Sequence, residues 1–134
     1  MVKYDPERFD LQREHFEKAL NRLQESLAQP EDSFMRDSII QRFEFTFEMA
    51  WKTLYRFLRD KGETMAAKAW DVLPVAFESK LIVDVDAWDQ MREYRNDSSH
   101  EYDEARALLI SAYVRSHGAA AFEALRAEMR RRVP

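Results

Sequence analysis

Residues 40–58 read IQRFEFTFEMAWKTLYRFL, and this stretch decides the fold. Ile40, Phe43, Phe47, Trp51, Leu54 and Leu58 recur every three or four residues, the spacing that gathers side chains into one stripe along an α-helix. Such a stripe of large apolar groups is what a helix presents to a packed core. Phe45 and Met49 lie away from it, so a second side of the same helix is apolar and has to meet another helix or another subunit. Self-association is therefore expected.

Working outward, the segment Gln29-Pro30-Glu31-Asp32-Ser33 stops one helix and offers capping oxygens to the next, which is predicted to run from there towards Gly62. Upstream, Asp5, Pro6 and Glu7 form an N-cap, a first-turn proline and a dipole-favoured acid. They open a helix to about Ala28 that carries Phe9, Phe16, Leu20, Leu23 and Leu27 on one face. Downstream, Thr64 is the expected cap of a shorter helix through Trp70, Val72 and Leu73, whose course Pro74 disturbs. Asp84 or Asp86 caps a fourth helix, with Asp89 acting in capping-box fashion and Trp88 and Met91 facing inward. Asp103 caps a final helix bearing Leu109, Ala112, Tyr113, Phe122, Leu125 and Met129, and ending in Arg130, Arg131 and Arg132, which suit a C-terminal dipole. The fold class predicted is all-α: an up-and-down four-helix bundle with one additional short helix, in a single domain over residues 1–134.

Composition agrees. The 134-residue chain is 46% hydrophobic and 34% charged, enough apolar surface to offset the entropy of ordering one domain. With two Gly and four Pro there is little turn chemistry for the many short strands of a sandwich or barrel. The absence of Cys rules out a disulfide framework, a thiolate zinc site and a cysteine nucleophile. No stretch approaches the roughly 20 apolar residues of a membrane span, and Lys3, Asp5, Glu7 and Arg8 stand where a signal peptide would be apolar. A soluble cytoplasmic protein is expected. A net charge of −4 argues against generic wrapping of nucleic acid, though a local basic patch remains open.

The chemistry-bearing segment is Arg95-Asn96-Asp97-Ser98-Ser99-His100-Glu101-Tyr102-Asp103. Arg95 follows Met91 by four residues and Trp88 by seven, so on a continuing helix it shares their apolar face, where a guanidinium needs a partner. Asn96, Asp97, Ser98 and Ser99 favour caps and turns, which ends or kinks the helix here. On an ideal helix Arg95 and His100 would point about 140° apart. They converge only if the helix breaks or a twofold axis brings two copies together. Arg95, Asn96, His100 and Tyr102 would then line one polar pocket. Such a pocket suits metal-independent RNA cleavage: a histidine titrating near neutrality moves the ribose 2′-hydroxyl or leaving-group proton, and an arginine stabilises charge on the phosphoryl oxygens. No cofactor or metal is needed. Glu44 and Glu48 do not supply the paired Glu-x-x-His sets of a di-iron bundle.

This segment resembles the R-x4-H-x-Y signature of HEPN proteins, and Gln41 to Lys52 resembles the second-helix hallmark of their nucleotidyltransferase-substrate-binding branch. The resemblance implies a homodimeric helical bundle that pairs with a small MNT-type nucleotidyltransferase, as in HepT-like toxins of HEPN/MNT toxin-antitoxin pairs. It also implies that Arg95 and His100 are the catalytic pair of an RNase, supported by Asn96, and that the partner silences the toxin by transferring AMP to Tyr102. An alternative of a different class is a noncatalytic subunit that binds the transferase and presents a substrate to it. In a purely structural reading, Asp97 or Glu101 pairs with Arg95 in an interhelical network, and Tyr102 is a staple residue before the Asp103 cap.

Overall fold

The computed structural model describes residues 6–97 and 103–134, without the Asp97 side chain. Its elements are α1 (Pro6–Leu27), α2 (Ser33–Asp60), α3 (Ala69–Glu78), α4 (Val85–Asp97), α5 (Glu104–Tyr113), a π-helical turn (Val114–Gly118) and α6 (Ala119–Arg132). Among the described residues there is no strand. Helical dihedrals continue through the caps of α5, the π turn and α6, so these three pieces form the one final helix that the sequence predicts. Four long helices, with α3 as the short addition, make the all-α bundle.

Helix starts follow the predicted chemistry at three places. The Asp32 side chain accepts from the Met35 amide at 2.7 Å, Asp84 Oδ1 from Ala87 at 3.1 Å, and Asp103 from Ala105 and Arg106. The expected Asp5 cap lies outside the described residues. Thr64 does not cap α3: that helix begins at Ala69 behind Lys68, which makes no side-chain capping bond. Pro74 sits inside α3 and removes one backbone donor without ending the helix. Helices α2 and α3 both end in Schellman hydrogen bonding, with Glu63 donating to Leu58 and Leu81 donating to Ala76, each at 3.0 Å. The left-handed position is Gly62 (φ 94°) in the first and Lys80 (φ 60°) in the second.

The core joins Phe16, Leu20 and Leu23 of α1, Phe43, Phe47 and Leu54 of α2, Trp88 and Met91 of α4, and Phe122 and Leu125 of α6. Trp88 meets Phe122 edge-on, with ring centroids 5.6 Å apart, and Phe47 at 6.1 Å. The buried stripe of α2 keeps the predicted Phe43, Phe47, Leu54 and Leu58 and is wider than predicted. Ile40 and Trp51 are half-buried, while Ile39, Thr46, Ala50 and Thr53 are fully buried. Small residues bring α1 and α2 close, and the two threonines satisfy their hydroxyls on the Arg42 and Met49 carbonyls at 2.6 and 2.8 Å. Met49 packs on the core beside Gln12 of α1, whereas Phe45 remains exposed. On the final helix Leu109 and Ala112 are exposed, and Ala107, Ile110 and Val114 carry the burial instead. Gly118 lies against α4: a Cβ there would stand 3.4 Å from Met91 Sδ. Among the described residues no helix is long and apolar enough to cross a membrane.

Candidate functional site

Arg95 lies in the last turn of α4, half-buried, and turns towards α2. Its Nη1 donates to Glu44 Oε2 at 3.5 Å, and its Nε stands 3.4 Å from Glu48 Oε1. Glu44 and Glu48 are one helical turn apart and so face the same side of α2. Glu48 is itself oriented, because its Oε2 accepts from the Trp51 indole N–H at 3.1 Å. The result is a guanidinium held between two carboxylates, with the second anchored by a half-buried tryptophan. Two anions close to one cation fix the plane of its donor fork.

The sequence offers the local Asp97 and Glu101 as counter-ions of Arg95; among the described groups the carboxylates come from α2. No spacing rule links residues some fifty positions apart, so this pairing cannot be read from the sequence. The one available signal is that Glu44 and Glu48 fall within the same stretch, Gln41 to Lys52, that carries the second resemblance. Among the described residues no group of three or more His, Asp or Glu is placed to hold a metal ion.

Asn96 is exposed beside Arg95. His100 and Tyr102 lie outside the described residues. Flanking that segment, Asp103 restarts the chain as the cap of α5, and Arg106 one turn later stands 5.1 Å from the centroid of the Tyr94 ring. Tyr94 also meets Tyr113 edge-on at 5.5 Å, an aromatic contact between α4 and the far end of α5. Burial pushes the Tyr113 phenol above its ordinary pKa, as do Asp84, Tyr94 and Asp86, and it stays neutral at physiological pH.

A sequence model of the family described as nucleotidyltransferase substrate binding protein like matches residues 11–131. The chain belongs to that family. Within it, the chain is a HepT-like HEPN protein. It is 31% identical over 90 residues to a Haemophilus influenzae protein named "Probable ribonuclease HepT", an alignment covering 61% of this chain. The chain thus spans 62% of the length of that curated relative. A Thermus thermophilus protein of known crystal structure is 32% identical and superposes with a TM-score of 0.77, over 86% of this chain and 98% of that one. Its likeness supports the HEPN-like bundle.

The other histidines contribute no recognisable metal set. His15 is exposed; His117, in the π turn, stacks on Tyr113 at 4.9 Å and shares a 2.7 Å hydrogen bond with Ser116. The terminal arginines are engaged within the fold. Arg130 pairs with Glu17 at 2.6 Å, Arg131 and Arg132 pair with Glu128, and Arg132 also donates to the Ser79 carbonyl at 2.9 Å. Arg131 and Arg132 hold the Glu128 carboxyl down at about 2.

Proposed function

We propose that this HepT-like chain is a metal-independent endoribonuclease toxin, active as a homodimer and neutralised by a partner nucleotidyltransferase that transfers AMP to Tyr102. The observation that carries the reading is the position of Arg95. It closes α4 at the start of the R-x4-H-x-Y segment, with its guanidinium oriented by Glu44 and Glu48. In this mechanism the ribose 2′-oxygen attacks the adjacent phosphorus and the 5′-oxygen of the next nucleotide leaves. His100 takes or supplies the proton, and Arg95 stabilises charge on the phosphoryl oxygens. The two copies bring their Arg95 and His100 groups to a shared cleft. Exposed Leu108 and Leu109, within two turns of the Asp103 cap, are apolar surface suited to a second subunit. AMP on Tyr102 would add bulk and negative charge where an RNA phosphate has to sit, and so close the cleft.

The second reading, a noncatalytic subunit that presents a substrate to the transferase, is favoured by the family's description and by the ion pairing of Arg95, which a purely structural arginine would also show. Expression without the partner separates the two. The toxin reading expects growth arrest and RNA cleavage, both lost in Arg95→Ala and His100→Ala; harmless expression of a soluble dimer supports the alternative. Intact-mass measurement after co-expression with the transferase tests the modification, which requires nucleotide-sized increments that disappear in Tyr102→Phe.

A further inference from the structure

Trp70, near the start of α3, is 67% exposed, whereas Trp88 is buried and Trp51 half-buried. The Arg92 guanidinium of α4 stacks on its indole, with the guanidinium carbon 3.7 Å from the ring centroid. At that distance the two planar groups are in van der Waals contact, and the cation rests against the negative face of the ring. Arg92 Nε is buried and has no hydrogen-bond partner among the described residues, so the stem of the guanidinium is enclosed beneath the stack. Beside the pair is a cleft of about 230 Å³ floored by Leu73, Pro74 and Phe77, with the Asp89 carboxylate at its border. Arg92 precedes Arg95 by three residues, one turn along the same helix and about 4.5 Å along its axis.

We infer that Trp70 and Arg92 form a stacking platform for an unpaired base of a single-stranded RNA whose phosphate is engaged at Arg95. This inference rests on the ribonuclease reading and names the form of its substrate. An exposed indole binds any base through its π-face, and a guanidinium stacked on it both stiffens the platform and offers in-plane donors to the sugar-phosphate edge. The Asp89 carboxylate is an acceptor for a base amino group at the rim. Because Asp89 faces the cleft, the platform is not strongly basic. The indole's own contribution comes from stacking and is insensitive to salt, in contrast to phosphate contacts. A base in a duplex has its faces covered and cannot use the platform.

The test uses the full chain without the transferase, a mixed-sequence single-stranded RNA decamer and the blunt duplex of the same sequence. Binding is measured in the His100→Ala background and cleavage in the otherwise native protein. The decamer should quench tryptophan emission, and Trp70→Ala should abolish that quench and weaken binding by about 5- to 100-fold. Trp70→Phe should restore most of the affinity, the loss should be equal at low and high salt, and cleavage at saturating RNA should be little changed while KM rises. Trp70→Ala protein that binds and cuts the decamer with native affinity and KM overturns the platform and leaves the ribonuclease reading standing. Trp70→Ala protein that keeps its RNA affinity but no longer captures the transferase overturns it in favour of a protein-docking role. If native protein neither binds nor cuts the decamer, both readings fall together.

Discussion

Arg126 and Arg95 are both drawn into this bundle, and their partners across the helix interface differ in chemistry. Arg126 of α6 is the more buried. It reaches Asn21 Oδ1 at 2.6 Å and Gln24 Oε1 at 3.2 Å on α1, with Glu123 of its own helix 2.5 Å away at the exposed rim. Arg95 of α4 faces two carboxylates of a neighbouring helix at 3.5 and 3.4 Å. Across the helix interface Arg126 meets only amide oxygens, and its carboxylate comes from its own helix, which suits a residue that ties α6 to α1 in mid-helix. A carboxylate pair fixes the direction of a fork and sits where the helix ends and the motif begins. Burial alone would rank Arg126 as the more important; the chemistry of the partners, and where the element stops, single out Arg95.

The widest separation between the two should come from deleting each. Arg95→Ala is expected to lower RNA cleavage by about 10²- to 10³-fold, the usual cost of losing one donor to a developing oxyanion. Its thermal midpoint should move little, as read from a melt beside the rate. If Arg95→Ala instead melts early and cuts normally, the contrast collapses and Arg95 is structural.

A smaller effect is expected from loosening the clamp. The double variant Glu44→Gln/Glu48→Gln keeps the shape of both side chains and removes their charge, and cleavage should fall by about 10- to 100-fold as Arg95 loses its fixed orientation. Unchanged turnover at saturating RNA would show that Arg95 is positioned by something else.

Arg126→Ala should do the reverse of Arg95→Ala. It leaves the Asn21 and Gln24 acceptors without their donor and is expected to cost about 1–3 kcal/mol of stability in a denaturant titration. Cleavage per folded molecule should remain native.

Glu31 inverts both arrangements, being a carboxylate gripped by cations. Arg36 donates to it at 2.9 Å, Arg115 at 3.0 Å and the Ser111 hydroxyl at 3.0 Å. Burial pushes its carboxyl up, but the hydrogen bonds from Arg115, Ser111 and Arg36 outweigh burial and hold it below the ordinary range. A depressed folded pKa contributes stability above the unfolded value of about 4.3, and that contribution is lost as pH falls through the folded value. Glu31→Gln should therefore shrink the fall in melting temperature below about pH 4.3 and leave the shape of the curve near neutrality unchanged.

Much of the bundle is legible because its signals are local. The apolar spacing of α2 and the side chains of Asp32, Asp84 and Asp103 act within a turn of their own backbone, and each of these three caps forms its bond. The centre of the α2 stripe escapes the pattern because Thr46, Ala50 and Thr53 are buried through close helix approach, which residue size permits but hydrophobicity does not announce. Thr64 fails as a cap because α3 starts later, at Ala69, despite the proline within it. Leu109 has the character of a core residue, yet the π turn and the seating of Gly118 on Met91 set the face of the final helix. Arg95 is recognisable in the sequence as an arginine out of place beside Trp88 and Met91. Its clamp is not, since Glu44 and Glu48 come from another helix and only the fold brings them near.

Cleavage by paired arginine and histidine without metal is tested most directly by a single-turnover assay of the chain, expressed and purified alone, on single-stranded RNA in excess EDTA. Native protein should cleave the RNA, and His100→Ala should lose cleavage while its melting curve is preserved. Cleavage that needs an added divalent ion, or that continues at the native rate in His100→Ala, would contradict that mechanism.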